Sequence, residues 1–163
     1  MLNGQTSYSL SDLIREEHIL AGITAPDSKG ASREISRRLV ETGYVETEFE
    51  RDVWKREGEF PTGLPTEPIG VAIPHADPDH VLKTALCVAT LTSPVTFAQM
   101  GTDSSKEVDA SIIFMLAIKE KEKQVVMIQQ LVQMIQNPDL LEALVGVKDA
   151  QQAFTLIKQS LAD

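Results

Sequence analysis

Ile69-Gly70-Val71-Ala72-Ile73-Pro74-His75-Ala76-Asp77 decides how this chain of 163 residues is read. The run up to Ile73 is apolar at both alternating positions, as in a strand buried on both faces of a sheet. Proline lacks the N–H that a ladder needs, so Pro74 closes the strand and leaves His75 exposed at the sheet's edge rather than packed in the core. Two more apolar, partly β-branched runs, residues 85–91 and 111–118, read as strands of the same kind. Residues 95–97 read as a further short strand after a Ser93-Pro94 turn.

Helical signals flank these strands. Asp27 caps a run in which Ala31, Ile35 and Leu39 recur every four residues until Gly43 stops it. Val45, Phe49, Val53 and Trp54 mark one side of a second helix ending near Glu57 or Gly58. Residues 58–68 then hold two glycines and three prolines, too dense for a regular element, and predict a stiff surface loop. Towards the C-terminus Val125, Ile128, Val132 and Ile135 mark one helical face, and Asn137-Pro138 breaks that run. Ala150, Ala153, Phe154, Ile157 and Leu161 mark another. Helices, then strands, then helices predict an α/β layered domain with a mixed sheet, preceded by about seven frayed residues.

Composition narrows the class. At 42 % hydrophobic and 24 % charged the chain is globular in character, and its length normally hides roughly 70 % of the extended-chain surface. With no repeat and no Pro/Gly/Ser linker, residues 1–163 read as a single domain, structured over about 8–160. The charge of −9, with no basic cluster longer than Arg37-Arg38, argues against nucleic acid as a partner. The longest uncharged apolar run, residues 112–118, is far short of the roughly 20 that span a bilayer. The opening Met1-Leu2-Asn3-Gly4-Gln5-Thr6 has neither a basic nor an apolar leader region, so a soluble cytoplasmic protein without membrane insertion is expected. Lone Cys87 and three scattered histidines support neither an internal disulfide nor a structural zinc site.

His75 is the residue whose placement invites chemistry. A neutral imidazole at a strand end offers one ring nitrogen as a nucleophile, while the other needs an orienting acceptor, either a backbone carbonyl or Asp77. The alternative is a histidine that merely serves a turn. Arg56, near a helix C-terminus, suits the helix dipole and equally suits an oxyanion. Thr62 and Gly63 can shape the loop beside His75, with Gly63 free to take positive φ and aim N–H groups at an anion. Cys87 reads as a small buried hydrophobe, and Met115, Met127 and Met134 as core fillers. His18 and His80 lack partners at metal-ligand spacing, and Glu57 and Glu59, two apart on a helix end, read as solvated charge.

Arg56-Glu57-Gly58-Glu59-Phe60-Pro61-Thr62-Gly63, followed by Gly70-Val71-Ala72-Ile73-Pro74-His75, resembles the signature of the fructose/mannitol class of enzyme IIA domains. These belong to the phosphoenolpyruvate-dependent sugar phosphotransferase system. The resemblance spans about residues 8–160, and the Glu-Phe-Pro before Thr-Gly, with Gln124 later, is most like galactitol-type members. It implies a three-layer α/β/α fold of the mannitol type, with a small mixed sheet flanked by helices. It further implies that His75 accepts a phosphoryl group on Nε2 from phosphorylated HPr and passes it to a cysteine of enzyme IIB. Membrane enzyme IIC would be served indirectly, and no cofactor is needed. Arg56 matches the arginine that approaches the phosphoryl group. Gln124 stands where mannitol-type members carry a second histidine; it can donate a hydrogen bond near His75 without adding charge, or be an ordinary polar residue of a first helical turn. Both partners would dock on a shallow apolar patch including Phe60, Leu64 and Ala76. A regulatory relative, phosphorylated on the same histidine but acting by binding a target protein, is the alternative.

Overall fold

The computed structural model describes residues 9–162. Short α1 (Leu10–Leu13) leads directly into β1 (Ile14–Ile23). Next come α2 (Ser28–Glu41), α3 (Glu48–Glu59), β2 (Gly63–Leu64) and β3 (Gly70–Ala72). Long strands β4 (Ala85–Ala98) and β5 (Glu107–Ala117) follow, then α4 (Gln124–Met134), α5 (Pro138–Val145) and α6 (Ala150–Leu161). The sheet order is β1-β4-β5-β3-β2. β1 runs parallel to β4 and β3 parallel to β5, whereas β4/β5 and β2/β3 are antiparallel.

The strands alternate between two cores. On one face Leu86, Val88, Ile112, Phe114 and Leu116 pack against α1 and α4–α6 through Leu13, Met127, Leu131, Leu141 and Ile157. On the other, the smaller Ala85, Cys87, Ala89, Ala110 and Ala117 meet Ile35, Leu39, Phe49 and Val53 of α2 and α3. This is the expected three-layer α/β/α arrangement with a mixed sheet. Asp27 caps α2 by accepting from the Gly30 N–H at 2.7 Å, and Gly43 takes φ +83° where that helix is left. No helix among the described residues is long and apolar enough to cross a membrane.

Four readings change. A strand precedes the expected helix pair: β1 was hidden because Arg15-Glu16-Glu17 stand exposed on a strand that, among the described residues, is paired on one side only. Residues 95–97 do not form a strand of their own. β4 runs on through Ser93-Pro94 with a register shift between Thr90 and Val95, where an irregular ladder tolerates a residue lacking N–H. The Pro/Gly-rich loop contains β2, and its Pro61, Thr62 and Gly63 are buried. On α4 the buried face is Met127, Leu131 and Met134, while Val125 is 65 % exposed. The expectation of about seven frayed residues at the front falls outside the described residues.

Gly70 marks the tightest approach of β3 to β5, because a Cβ there would collide with the Asp109 carbonyl oxygen and meet Val108 Cγ1 at 2.8 Å. Gly70→Ala is therefore expected to destabilise the fold by about 1–3 kcal/mol, seen as a lower urea midpoint at unchanged slope.

Candidate active site

A series of hydrogen bonds runs from α3 to His75. Phe49, Val53 and Glu57 recur every four residues on the buried side of α3, so the carboxylate of Glu57 enters the interior. It accepts the Thr62 N–H at 2.8 Å and the Thr62 hydroxyl at 2.7 Å. The Thr62 carbonyl in turn accepts the Ile73 N–H at 3.3 Å. The Ile73 carbonyl then accepts the His75 Nδ1–H at 2.9 Å. On the other side, Leu116 N–H donates to the Pro74 carbonyl at 3.2 Å, extending the β3–β5 pairing as far as His75.

That arrangement sets the tautomer. With the proton on Nδ1, Nε2 keeps its lone pair and has no hydrogen-bond partner among the described residues. The ring is not exposed as expected: only 6 % of His75 is accessible, because the chain after Pro74 stays alongside β5. It borders a surface cleft of about 320 Å³ together with Arg56, Phe60, Thr62, Met100 and Ile128. Burial holds the imidazole pKa below the ordinary histidine value, and the Arg56 cation pushes the same way. The Ile73 hydrogen bond and Asp77 oppose them. The net result is an imidazole that is neutral at pH 7.

The acceptor for Nδ1 is thus a backbone carbonyl. Asp77 instead pairs with Arg56, Oδ1 lying 3.4 Å from Nη1. The Arg56 guanidinium also lies over the Phe60 ring at 5.1 Å, and its buried Nε–H has no partner among the described residues. Gln124 reaches the same segment, but its amide N–H donates to the Ala76 carbonyl at 3.1 Å rather than to the imidazole. Gly63 does not use positive φ. It is glycine because a Cβ would stand 2.7 Å from the Ala98 carbonyl oxygen, and its own carbonyl accepts the Met100 N–H at 2.8 Å. Of the expected apolar patch, Phe60 is 60 % exposed and Leu64 half-buried, but Ala76 is buried. Exposed Val125 lies one turn before cleft-lining Ile128 and extends that patch instead.

Glu57 is the residue that sequence reasoning missed by treating it as solvated charge. The signal was present: it continues the Phe49/Val53 spacing. Burial raises its pKa above the ordinary carboxylate value, against the lowering effect of the two Thr62 hydrogen bonds. His80 Nδ1 lies 2.5 Å from Asp52 Oδ2, tying the turn after His75 to α3, and that bond raises its pKa. His18 is buried against the edge of Tyr44, with Nε2 2.9 Å from the Thr42 hydroxyl oxygen, and burial lowers its pKa. Cys87 is buried in β4 with its thiol pushed up to about 12.

Two expectations follow from this geometry. A proton-coupled NMR titration of the three histidines should place His75 and His18 midpoints below about 6.5 and the His80 midpoint above it. For His75 and His18 the unfolded chain then binds more protons, so their contribution to stability falls as pH drops below about 6.5. His80 acts oppositely, its contribution being lost as pH rises through its folded pKa. Glu57→Ala should cost about 2–3 kcal/mol in chemical denaturation, because it leaves the Thr62 N–H and hydroxyl buried without an acceptor; Glu57→Gln, which keeps one acceptor, should cost less.

Known proteins share this chain's sequence pattern and fold. The galactitol-specific EIIA component of Escherichia coli (strain K12) is 27 % identical over 133 residues, 82 % of this chain and 87 % of that protein. The crystal structure of IIA mannitol from Escherichia coli superposes with a TM-score of 0.73 at 26 % identity, over 88 % of this chain and 98 % of that one. The complex of that enzyme IIA with phosphorylated enzyme IIB mannitol, also from Escherichia coli, gives 0.73 at 25 % identity, over 90 % of this chain and 97 % of that one. Residues 12–160 match the family described as phosphoenolpyruvate-dependent sugar phosphotransferase system, EIIA 2, and the chain belongs to that family.

Proposed function

We propose that this protein is a cytoplasmic phosphoryl carrier of sugar or polyol uptake, in which His75 takes the group from phosphorylated HPr and yields it to a cysteine of an enzyme IIB. The observation that carries the reading is the Nδ1–H bond to the Ile73 carbonyl, which leaves Nε2 as a neutral nucleophile bordering an open cleft. In the first half-reaction Nε2 bonds to phosphorus as the donor's N–P bond breaks. In the second, the Nε2–P bond breaks as an S–P bond forms on the partner thiolate, and the imidazole returns to its neutral state. The phosphoryl group arrives activated, so catalysis is positioning and charge stabilisation.

Arg56 is assigned the stabilising role: it borders the same cleft, and its Nε–H is without a partner among the described residues. Gln124 holds the Ala76 carbonyl and so positions the residue after His75. Thr62 and Gly63 are assigned the support of the loop. Phe60 and Val125 offer a shallow apolar surface for two partners that dock in turn and leave, as modest interfaces do. Membrane enzyme IIC is reached only through the IIB partner. Galactitol is the favoured substrate on the 27 % identity to galactitol-specific EIIA.

Intact-mass spectrometry after incubation with phosphoenolpyruvate, the first enzyme of the system and HPr should show one acid-labile phosphoryl adduct, absent in His75→Ala. An adduct on His75→Ala, or none on the parent, overturns the assignment. Arg56→Ala should slow adduct formation by about 10²-fold, as loss of a charge-stabilising donor does. Onward transfer should be faster to a galactitol-type IIB than to a mannitol-type one. Charging with transfer to no IIB would instead favour the regulatory reading.

A further inference from the structure

We propose that the groove between α2 and α3 binds a small phosphomonoester carried on a ring, at a site distinct from the His75 cleft. The groove has a volume of about 600 Å³, within the range of small-molecule sites rather than of flat protein-docking faces. Its walls hold the cations Lys29 and Arg33 from α2 and Arg51 and Lys55 from α3, against the single carboxylate of Glu50. On a chain of net charge −9 such a local excess of positive charge stands against the general field and favours an anion.

The side chains there are incompletely used. Arg33 Nε lies 3.3 Å from Glu50 Oε2, but its two Nη nitrogens have no partner among the described residues, and neither Lys29 nor Lys55 has an ion pair. Arg51 reaches only Asp52, at 3.3 Å. A phosphate dianion fits these forked and point donors together. A second, independent sign comes from Ser32. This serine lines the groove, is only 2 % exposed, and its hydroxyl has no hydrogen-bond partner among the described residues. A buried hydroxyl left unpaired carries a desolvation cost that a ligand oxygen would relieve. Half-buried Trp54 adds a flat aromatic wall against which a sugar or base ring can lie. Phosphate on a ring is the ligand class that uses all of these features at once.

Trp54 is the only tryptophan of the chain, so its emission reports on the groove directly. The full chain would be titrated with adenosine 5′-monophosphate and with glucose 6-phosphate, each beside its unphosphorylated parent. A saturable change is expected with at least one phosphomonoester, at least about tenfold tighter than with its parent and weakened by added salt. Whichever of the two binds tighter identifies a base or a sugar as the ring. Lys29→Glu should abolish the response. Ser32→Ala should reduce affinity several-fold without lowering the thermal midpoint of the free protein, which separates ligand recognition from a folding role. No saturable change with either phosphomonoester, an equal response to the parents, or an undiminished response in Lys29→Glu would overturn the site.

Discussion

Two donors on one threonine and one buried carboxylate fix the centre of this molecule. Glu57 takes both the N–H and the hydroxyl of Thr62, and from there backbone bonds lead through Ile73 to the ring of His75. Each bond is ordinary in length, yet their order matters. The last acceptor decides which imidazole nitrogen holds the proton, and it is a carbonyl whose own residue is pinned by the loop. α3 thereby orients an imidazole to which it makes no hydrogen bond. It also carries Arg56, the neighbour of Glu57, about 100° further round the helix at the edge of the cleft, so adjacent residues divide support from charge.

The legible part of this design was the part written in apolar runs and in punctuation. Asp27, Gly43, Asn137 and Pro74 act where the chain chemistry says they should, and the three principal strands follow their uninterrupted apolar stretches. β1 was illegible because three consecutive charged residues interrupt it, and nothing local reveals that an edge strand has solvent on one side. The continuity of β4 through Ser93-Pro94 depends on a neighbour, β5, that is far away in sequence. His75 was placed at the right strand end but given the wrong exposure, because the bond from Leu116 to Pro74 that keeps it against the sheet is tertiary. Glu57 shows the opposite error. Its charge outweighed its spacing in the reading, whereas the fold follows the spacing.

The two faces of the sheet are unequal. On the side toward α2 and α3, Ala85, Cys87, Ala89, Ala110 and Ala117 are mixed with the bulkier Val95, Phe97, Ile113 and Met115. Leucines, isoleucines and Phe114 line the side toward α4–α6, where the strands themselves supply the bulk. Packing of Phe49 and Val53 on the α2 and α3 side sets α3 against the strands, and Asp52, Arg56 and Glu57 all stand on α3. A histidine held by such a frame keeps its ring orientation without needing a second charged side chain against it, which agrees with an amide rather than a cation at position 124.

The margins of the sheet have a consequence for how the molecule keeps company with copies of itself. Among the described residues one margin is β2, only two residues long, and the other is β1, along which Arg15, Glu16 and Glu17 are exposed. A very short edge and a charged one are both poor templates on which another chain could add a strand. A protein built this way can be abundant and can meet other proteins often without its sheet becoming a template for polymerisation.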